Sequence, residues 1–468
     1  MSDENKMKNK LMVKSQFVQI IRYCDKAVVW HSLFGYPKIV SEDTLELLDI
    51  FSTPHSIGTF LDEYDIGENG EEVIHDLIES YYIVPKDFDE RTFLAKITQE
   101  REQVIVEGGL IGKLELTMTE ECNFRCAYCV HFGNLGMSDR IKNPNKFMTF
   151  RVAKEAVDLY IKILRRHGKS VAKINFGGGE PLLVWPIIEQ ILKYYRLKYI
   201  SEFPCNFAII TNASLVTPEI AKNFMEYGVE VASSLDGLGE VNDSVRLTKS
   251  GGGTFDVIIR GLDNLAVFNC PVDIAVTIND SNFHFVDEKI IDWIASRNMK
   301  HMRITTDVIN MVTTPVDEIV TWLMRMRRYG REHGVDVTGS WYRPIGNFND
   351  SALDKLTAFC GALCGDSICV NPSGNIYGCS YSTNQLGRLQ QIASFHDPGS
   401  QYQHLVQDHL VGRREACKGC IIEGQCIGGC EITREFSRAS NTTKIEQVCD
   451  LYRRMTRELF LEQLSESV

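Results

Sequence analysis

Between residues 113 and 334 the spacing of apolar positions changes rhythm repeatedly. Short stretches that alternate apolar and polar, such as Lys113-Leu-Glu-Leu-Thr-Met-Thr119, give way to longer ones with apolar residues three and four apart. Strands are predicted at 113–119, 171–176, 206–211, 229–234, 271–278 and 301–307. Helices are predicted at 150–166, 185–198, 217–227, 254–267, 285–297 and 315–334. Six strand–helix repeats predict a parallel α/β unit, short of the eight repeats of a full barrel.

The flanks have other rhythms. Phe17-Val-Gln-Ile-Ile-Arg-Tyr23 and Ala27-Val-Val-Trp-His-Ser-Leu33 predict strands, with a third at 38–40. Ser41 followed by two acids is a helix N-cap, and helices are predicted at 44–51, 56–64 and 71–80, then a strand at 81–84. Strands, three helices and a closing strand make a winged-helix module. After residue 335 the chain is loop-rich as far as 359. Asn371-Pro-Ser-Gly374 then predicts a hairpin turn between Ser367-Ile-Cys-Val370 and Asn375-Ile-Tyr377, and an amphipathic helix follows Cys449. The expected division is 1–108, 109–335, a linker at 336–359, and 360–468.

Composition is that of a globular protein, 44% hydrophobic and 24% charged. No window approaches the ~18 apolar residues of a membrane span, and the first ten residues are too polar for a signal-peptide core, so a cytoplasmic protein is expected. The net charge of −12 argues against a nucleic-acid partner. Nearly all of it sits in residues 1–108, which sum to −10; a solvated acidic surface accounts for that, and a basic partner is the other reading.

The chemistry lies in the cysteines. Of fifteen, only Cys24, Cys205 and Cys270 are isolated, and these read as small buried hydrophobes. Cys122, Cys126 and Cys129 follow the first core strand with spacing Cys-x3-Cys-x2-Cys. Three thiolates so placed can hold three irons of a [4Fe–4S] cube and leave the fourth open. Half a zinc site, which wants a fourth ligand, or part of a disulfide framework are the alternatives. Near the other end stand Cys360, Cys364, Cys369 and Cys379, then Cys417-x2-Cys420-x5-Cys426-x3-Cys430 and Cys449. Such density in a reduced compartment points to metal.

Parallel α/β units carry their chemistry at the carboxyl ends of strands. The second predicted strand ends Ile174-Asn-Phe-Gly-Gly-Gly-Glu-Pro181, where glycines admit close backbone approach and Glu180 can accept from an ammonium. The third ends Ile210-Thr-Asn-Ala-Ser214 and the fourth Ala232-Ser-Ser-Leu-Asp-Gly237, with Arg246 soon after. An arginine fork suits a carboxylate.

Over about residues 110–310 the chain resembles the radical S-adenosylmethionine (SAM) superfamily. The resemblance implies a partial (β/α)6 TIM barrel, with SAM chelating the open iron of the Cys122, Cys126 and Cys129 cluster. It implies that Gly178, Gly179, Glu180 and Pro181 hold the methionine amino group, that Ser234 and Arg246 meet its carboxylate, and that Tyr128 lies beside the adenine. From Cys360 to Cys449 the chain resembles the SPASM domain, which implies two auxiliary clusters and three [4Fe–4S] clusters in all. Cys379, Cys430, Cys360 and Cys364 would hold the first, and Cys417, Cys420, Cys426 and Cys449 the second. Cys369 is left over; it could replace Cys364, leave a site where substrate sulfur binds iron, or face the core from its strand, the last being favoured.

Residues 1–108 look like the module that binds leader peptides by strand addition in enzymes acting on ribosomally made peptides. The function expected is therefore a radical SAM maturase of a precursor peptide, fed electrons by a flavodoxin or ferredoxin. Its expected product is an intramolecular cross-link, a cysteine thioether first and C–C or C–O bonds next. Formylglycine formation of the sulfatase-maturase type is disfavoured, because Ser380 stands where that pattern has an aspartate base. No catalytic side chain is singled out. A cluster-bearing, peptide-binding regulator is the non-enzymatic reading.

Overall fold

In the computed structural model the described residues are 9–64, 70–131, 145–307, 312–349, 351–355, 359–363, 365–391, 397, 399–440 and 444–467. The N-terminal region builds two small antiparallel sheets. The first has the order β2-β3-β4, from β2 (Val18–Tyr23), β3 (Lys26–His31) and β4 (Gly35–Ser41). In the second, β1 (Leu11–Lys14) lies between β5 (His55–Ser56) and β6 (Ile83–Pro85). Helices Glu42–Ile50, Ile57–Glu63 and Gly70–Glu79 follow β4, the first capped by Ser41, whose hydroxyl accepts from the Thr44 amide. Met12, Leu45, Leu48, Phe51, Phe60, Ile74 and Leu77 close a separate core. Strands β1 and β5 were not expected; at four and two residues they are too short to show an alternation. Helix Glu90–Val106 was also missed, because it buries Glu90 and Thr98 together with Leu94 and Ile105 and so has no clean apolar stripe.

The centre is one ten-stranded sheet. Its six predicted strands are β7 (Lys113–Thr119), β8 (Ala172–Gly178), β9 (Cys205–Thr211), β10 (Val229–Ser234), β11 (Val272–Ile278) and β12 (His301–Thr306), each parallel to the next. The segment expected as a linker adds β13 (Asp336–Thr338), parallel to β12. Beyond β7 lie β14 (Ser367–Val370), parallel to it, and then β15 (Asn375–Tyr377) and β16 (Gln385–Arg388), both antiparallel. The predicted hairpin therefore extends the central sheet instead of standing apart. Helices Phe150–Arg166, Trp185–Lys198, Pro218–Tyr227, Phe255–Val267, Lys289–Ser296 and Val316–Glu332 make the crossovers, the α/β architecture that the strand–helix alternation predicts.

Along β8 to β12 one set of side chains, including Ile174, Phe207, Ile209, Val231, Ile274 and Ile304, is buried. The alternate set, including Asn175, Ile210, Ser234, Thr277 and Arg303, is half-buried or exposed. One face of the sheet is thus sealed by core and the other lines an accessible space. No helix among the described residues is long and apolar enough to cross a membrane.

The N-terminal region is seated on the C-terminal one. Trp30 of β3 packs on Phe460 and Phe348, with ring centroids 5.0 and 6.4 Å away, and its indole donates to the Ile421 carbonyl at 2.7 Å. The Gly424 amide donates to the Ser32 carbonyl at 2.8 Å. A Cβ on Gly424 would stand 1.9 Å from the Leu33 carbonyl oxygen, so only glycine permits this approach.

Candidate active site

The three clustered cysteines occupy the loop leaving β7, and two neighbouring segments fix that loop by backbone bonds. On one side Arg125 N and Ala127 N donate to Leu247 O (2.7 Å) and Val245 O (2.9 Å), which places Cys126 against Arg246. On the other, Gly179 N donates to Thr119 O (2.8 Å) and Glu180 N to Glu121 O (2.9 Å). Side chains at Gly178 and Gly179 would collide with those same oxygens, at 2.3 and 2.2 Å. The glycines therefore let strand β8 touch the cysteine loop.

Cys122, Cys126 and Cys129 are free thiols close enough to perturb one another electrostatically. Burial pushes the Cys122 thiol up to about 11 and the Cys126 thiol to about 12. Without metal these two are neutral, and binding iron would release their protons. Arg246 donates toward Cys126 Sγ at 3.6 Å, the Phe124 amide toward Cys122 Sγ at 3.4 Å, and Asn212 Nδ2 toward the same sulfur at 3.9 Å. Donors aimed at sulfur are what a ligating thiolate uses.

Glu180 is fully buried. It caps the turn at Pro181 by accepting from Leu182 N (3.0 Å), and also accepts from Thr211 Oγ1 (2.7 Å) and Asn212 N (2.8 Å). Burial raises its pKa to about 6 against the pull of those donors. An ionised carboxylate offers about four acceptor positions, so one remains for a ligand ammonium.

Asp236, just past β10, organises the opposite side. Its carboxylate pairs with Arg246 Nε at 3.1 Å, accepts from Thr277 N at 2.7 Å and accepts from the Tyr128 hydroxyl. The Arg246 guanidinium lies 5.8 Å from the centre of the Tyr128 ring. Burial works against the charge on Arg246, but Asp236, Tyr128 and the two thiols more than offset it and its pKa is raised. Arg246 and Tyr128 are thus held by protein before any ligand arrives. Ser234 ends β10 half-buried, in register with Ala275 on β11.

The later cysteines fall into two groups. Cys360, Cys379 and Cys430 are mutual electrostatic neighbours, and Cys417, Cys420, Cys426 and Cys449 form the second set. Cys364 lies outside the described residues. Cys369 belongs to neither set: it is buried on β14, 3.3 Å from Thr117 Oγ1. Thiolates around one zinc at about 2.3 Å each would lie within about 4 Å of one another. No three Cys, His, Asp or Glu side chains among the described residues converge that way, whereas a four-iron cube takes thiols from a wider ring. The Tyr381 ring lies 5.6 Å from that of His131, two residues past Cys129, and its hydroxyl is influenced by both Cys379 and Cys129. Arg303 is exposed, yet burial of its surroundings and the nearby Arg343 lower its pKa, as for a side chain in a confined polar space.

The second group's loop is the one gripped by the N-terminal region. Glu423 inside it is buried, takes both Arg91 nitrogens at 2.8 and 2.9 Å and accepts from Gly419 N at 2.9 Å. Asp236, Asn212 and Glu423 were not singled out from the sequence. The first two stand at carboxyl ends of strands, where a polar residue is itself the signal. Glu423 had none, since its partner is 332 residues away.

Residues 116–293 match the family model described as Radical SAM superfamily. The chain carries a radical SAM domain and is an enzyme. It is 23% identical over 461 residues to the radical SAM cyclopropyl synthase TigE of Paramaledivibacter caminithermalis, covering 96% of this chain and 95% of that one. Among solved structures it is similar to native anSMEcpe with bound AdoMet (TM-score 0.55, 17% identity, covering 73% of this chain and 99% of that chain). It is also similar to Streptococcus suis SuiB bound to the precursor peptide SuiA (TM-score 0.51, 14% identity, covering 90% and 96%).

Proposed function

With a radical SAM domain at the centre of the chain, we propose that this enzyme modifies a ribosomally made precursor peptide by oxidising it at an unactivated C–H bond. The observation that carries the reading is the placement of three thiols between the Gly178–Pro181 turn and the Asp236–Arg246–Tyr128 unit, beside a polar, accessible face of the sheet. Cys122, Cys126 and Cys129 would hold a four-iron cluster. With SAM bound there, the site would supply the reductive, radical-generating chemistry that hydrogen abstraction from the peptide requires. Glu180 would accept the methionine ammonium. Arg246, steadied by Asp236, and Ser234 would meet its carboxylate, and Tyr128 would flank the adenine. Tyr381 and Arg303 line the space left for the peptide.

The two further thiol groups would hold auxiliary clusters, for three in all, with Cys364 completing the first. They suit a net two-electron oxidation, in which the second electron needs an acceptor. Similarity to a cyclopropyl synthase over nearly the whole chain favours C–C bond formation ahead of the thioether expected from cysteine chemistry. Formylglycine formation stays disfavoured by Ser380. The leader would add a strand along β4, the edge of its sheet, where Ile39 is 47% exposed. A flavodoxin or ferredoxin in the cytoplasm would supply electrons. The test is co-expression with the short peptide encoded beside the gene, followed by mass spectrometry. A loss of two hydrogens that requires Cys122, Cys126 and Cys129 supports the reading, and an unmodified peptide with active SAM cleavage refutes it.

A further inference from the structure

Arg434 raises a question that the proposed reaction does not answer. It is 7% exposed, and its only side-chain hydrogen bond among the described residues is from Nε to the Gly428 carbonyl at 2.8 Å. Among the described residues no carboxylate pairs with it. Glu431, the nearest acid along its helix, is engaged by Arg414 at 3.1 Å and lies 3.4 Å from His409. A guanidinium removed from water without an anion is costly to keep charged, and arginine does not give up its proton. Something anionic must face it.

The placement of its helix shows what that is. Helix Glu431–Ser440 begins immediately after Cys430, a member of the first thiol group, and Arg434 N bonds back to Cys430 O at 3.4 Å. One turn further on, the guanidinium folds back over Gly428, two residues after Cys426 of the other group, and its charge also acts on Cys417 and Cys449. Arg414 also acts on Cys417 and Cys449, but Glu431 neutralises it. Arg453 reaches Cys449 and lies 3.8 Å from Asp450.

We propose that Arg434 is the counter-ion of the second auxiliary cluster and raises its reduction potential. This rests on the reading that Cys417, Cys420, Cys426 and Cys449 hold such a cluster. A cube held by four cysteines carries roughly two negative charges, and one more when reduced, so an adjacent fixed cation stabilises the reduced form more. The same cation destabilises the cluster-free protein, where no cluster charge faces it and burial disfavours the thiolates of Cys417, Cys426 and Cys449. The second auxiliary cluster is therefore tuned to take an electron, and the C-terminal region is made dependent on its cluster.

The experiment uses the full chain with Cys122, Cys126 and Cys129 replaced by alanine, so that only auxiliary clusters report. Iron content and a redox titration followed by electron paramagnetic resonance are compared for that protein and its Arg434→Met and Arg434→Lys forms. The methionine form is expected to lower one of two midpoints by about 59 mV, a tenfold change in the reduced-to-oxidised ratio for one electron. The lysine form should keep most of the original value. Apo protein prepared with a chelator should melt higher with methionine than with arginine. Intact iron with both midpoints unmoved overturns the proposal. So does an apo methionine form no more stable than its parent, a readout that survives even if that form fails to load its cluster. A parent that holds a single auxiliary cluster, insensitive to loss of Cys449, would refute the second cluster itself.

Discussion

Arg91 and Glu423 form a two-point ion pair at 2.8 and 2.9 Å that ties the N-terminal helix Glu90–Val106 to the loop carrying Cys417, Cys420 and Cys426. The Glu423 side chain is 1% exposed and that of Arg91 30%. Replacing Arg91 by glutamine would leave a buried carboxylate with only the Gly419 amide. Discounted for the exposed partner, the loss is on the order of 2–4 kcal/mol. Arg91→Gln combined with Glu423→Gln should recover much of it. Denaturant unfolding of the single and double variants measures both, and a single variant as stable as the parent would show that the pair contributes nothing.

Iron analysis of the reconstituted protein should approach about twelve per chain, for three four-iron clusters. Replacing Cys122, Cys126 and Cys129 together by alanine should lower this to about eight and abolish release of 5′-deoxyadenosine, with the remaining spectra unchanged. Retained SAM cleavage would show that the triad does not hold the reactive cluster.

Gly179→Ala should displace the cysteine loop, because the new methyl would lie 2.2 Å from Glu121 O. Overpacking of this kind costs about 1–3 kcal/mol, and here it falls on the proposed SAM site. Gly177→Ala is the control, since its methyl would meet only Glu115 Oε1 at 3.5 Å. SAM affinity measured by equilibrium dialysis should fall at least tenfold for the first and change little for the second. Equal affinities would mean that the close approach is unimportant.

Asp236→Asn keeps the shape of the hub but removes its charge. Arg246 would then be buried without its 3.1 Å partner, and both its aim and that of Tyr128 would loosen. A loss of about 3–5 kcal/mol in stability is expected for such a pair, with SAM binding weakened in the surviving folded protein. Calorimetric titration with SAM at a temperature well below the variant's melting point separates the two effects.

His31 gives the pH dependence. Burial lowers its pKa from 6.5 to about 3. Nδ1 accepts from the Leu33 and Phe34 amides at 3.3 and 3.0 Å, and Nε2 lies 3.2 Å from Ser15 Oγ, which donates to Glu90 at 2.7 Å. The unfolded chain binds the proton more readily than the folded one, so stability rises with pH across this window. The contribution is complete above about pH 6.5 and is lost as pH falls toward 3, a total on the order of 5 kcal/mol at 1.36 kcal/mol per unit. His31→Gln should flatten the slope of unfolding free energy against pH between 6 and 4. An unchanged slope would assign the acid sensitivity to other groups.

The central strands were legible because each buries alternate residues over six or seven positions, as in Val272-Asp-Ile-Ala-Val-Thr-Ile278. The cysteine triad was legible as a group because its three thiols are neighbours in sequence. Strand β13 was not: three residues carry no period, and what holds them is tertiary, the parallel pairing with β12 and Arg327 Nη1 donating to Val337 O at 3.1 Å. Asp236 was hidden for a related reason. Its importance comes from Tyr128 and Arg246, which the chain brings to it from 108 residues before and ten after. Local pattern reveals elements and clustered thiols, while long-range polar partners emerge only when the chain closes.

The N-terminal region, a leader-binding module under the proposed function, invites exchange between enzymes as if it were a cassette. The grip of Trp30, Ser32, Leu33 and Arg91 on residues 421–424 says that it is not. A chimera that brings in a foreign N-terminal region would expose the cage of Cys417, Cys420 and Cys426 unless the loop from Cys417 to Cys426 travelled with it. Substrate range in such enzymes would then be reprogrammed by transplanting a pair of distant segments together, one for recognition and one that looks purely metallic.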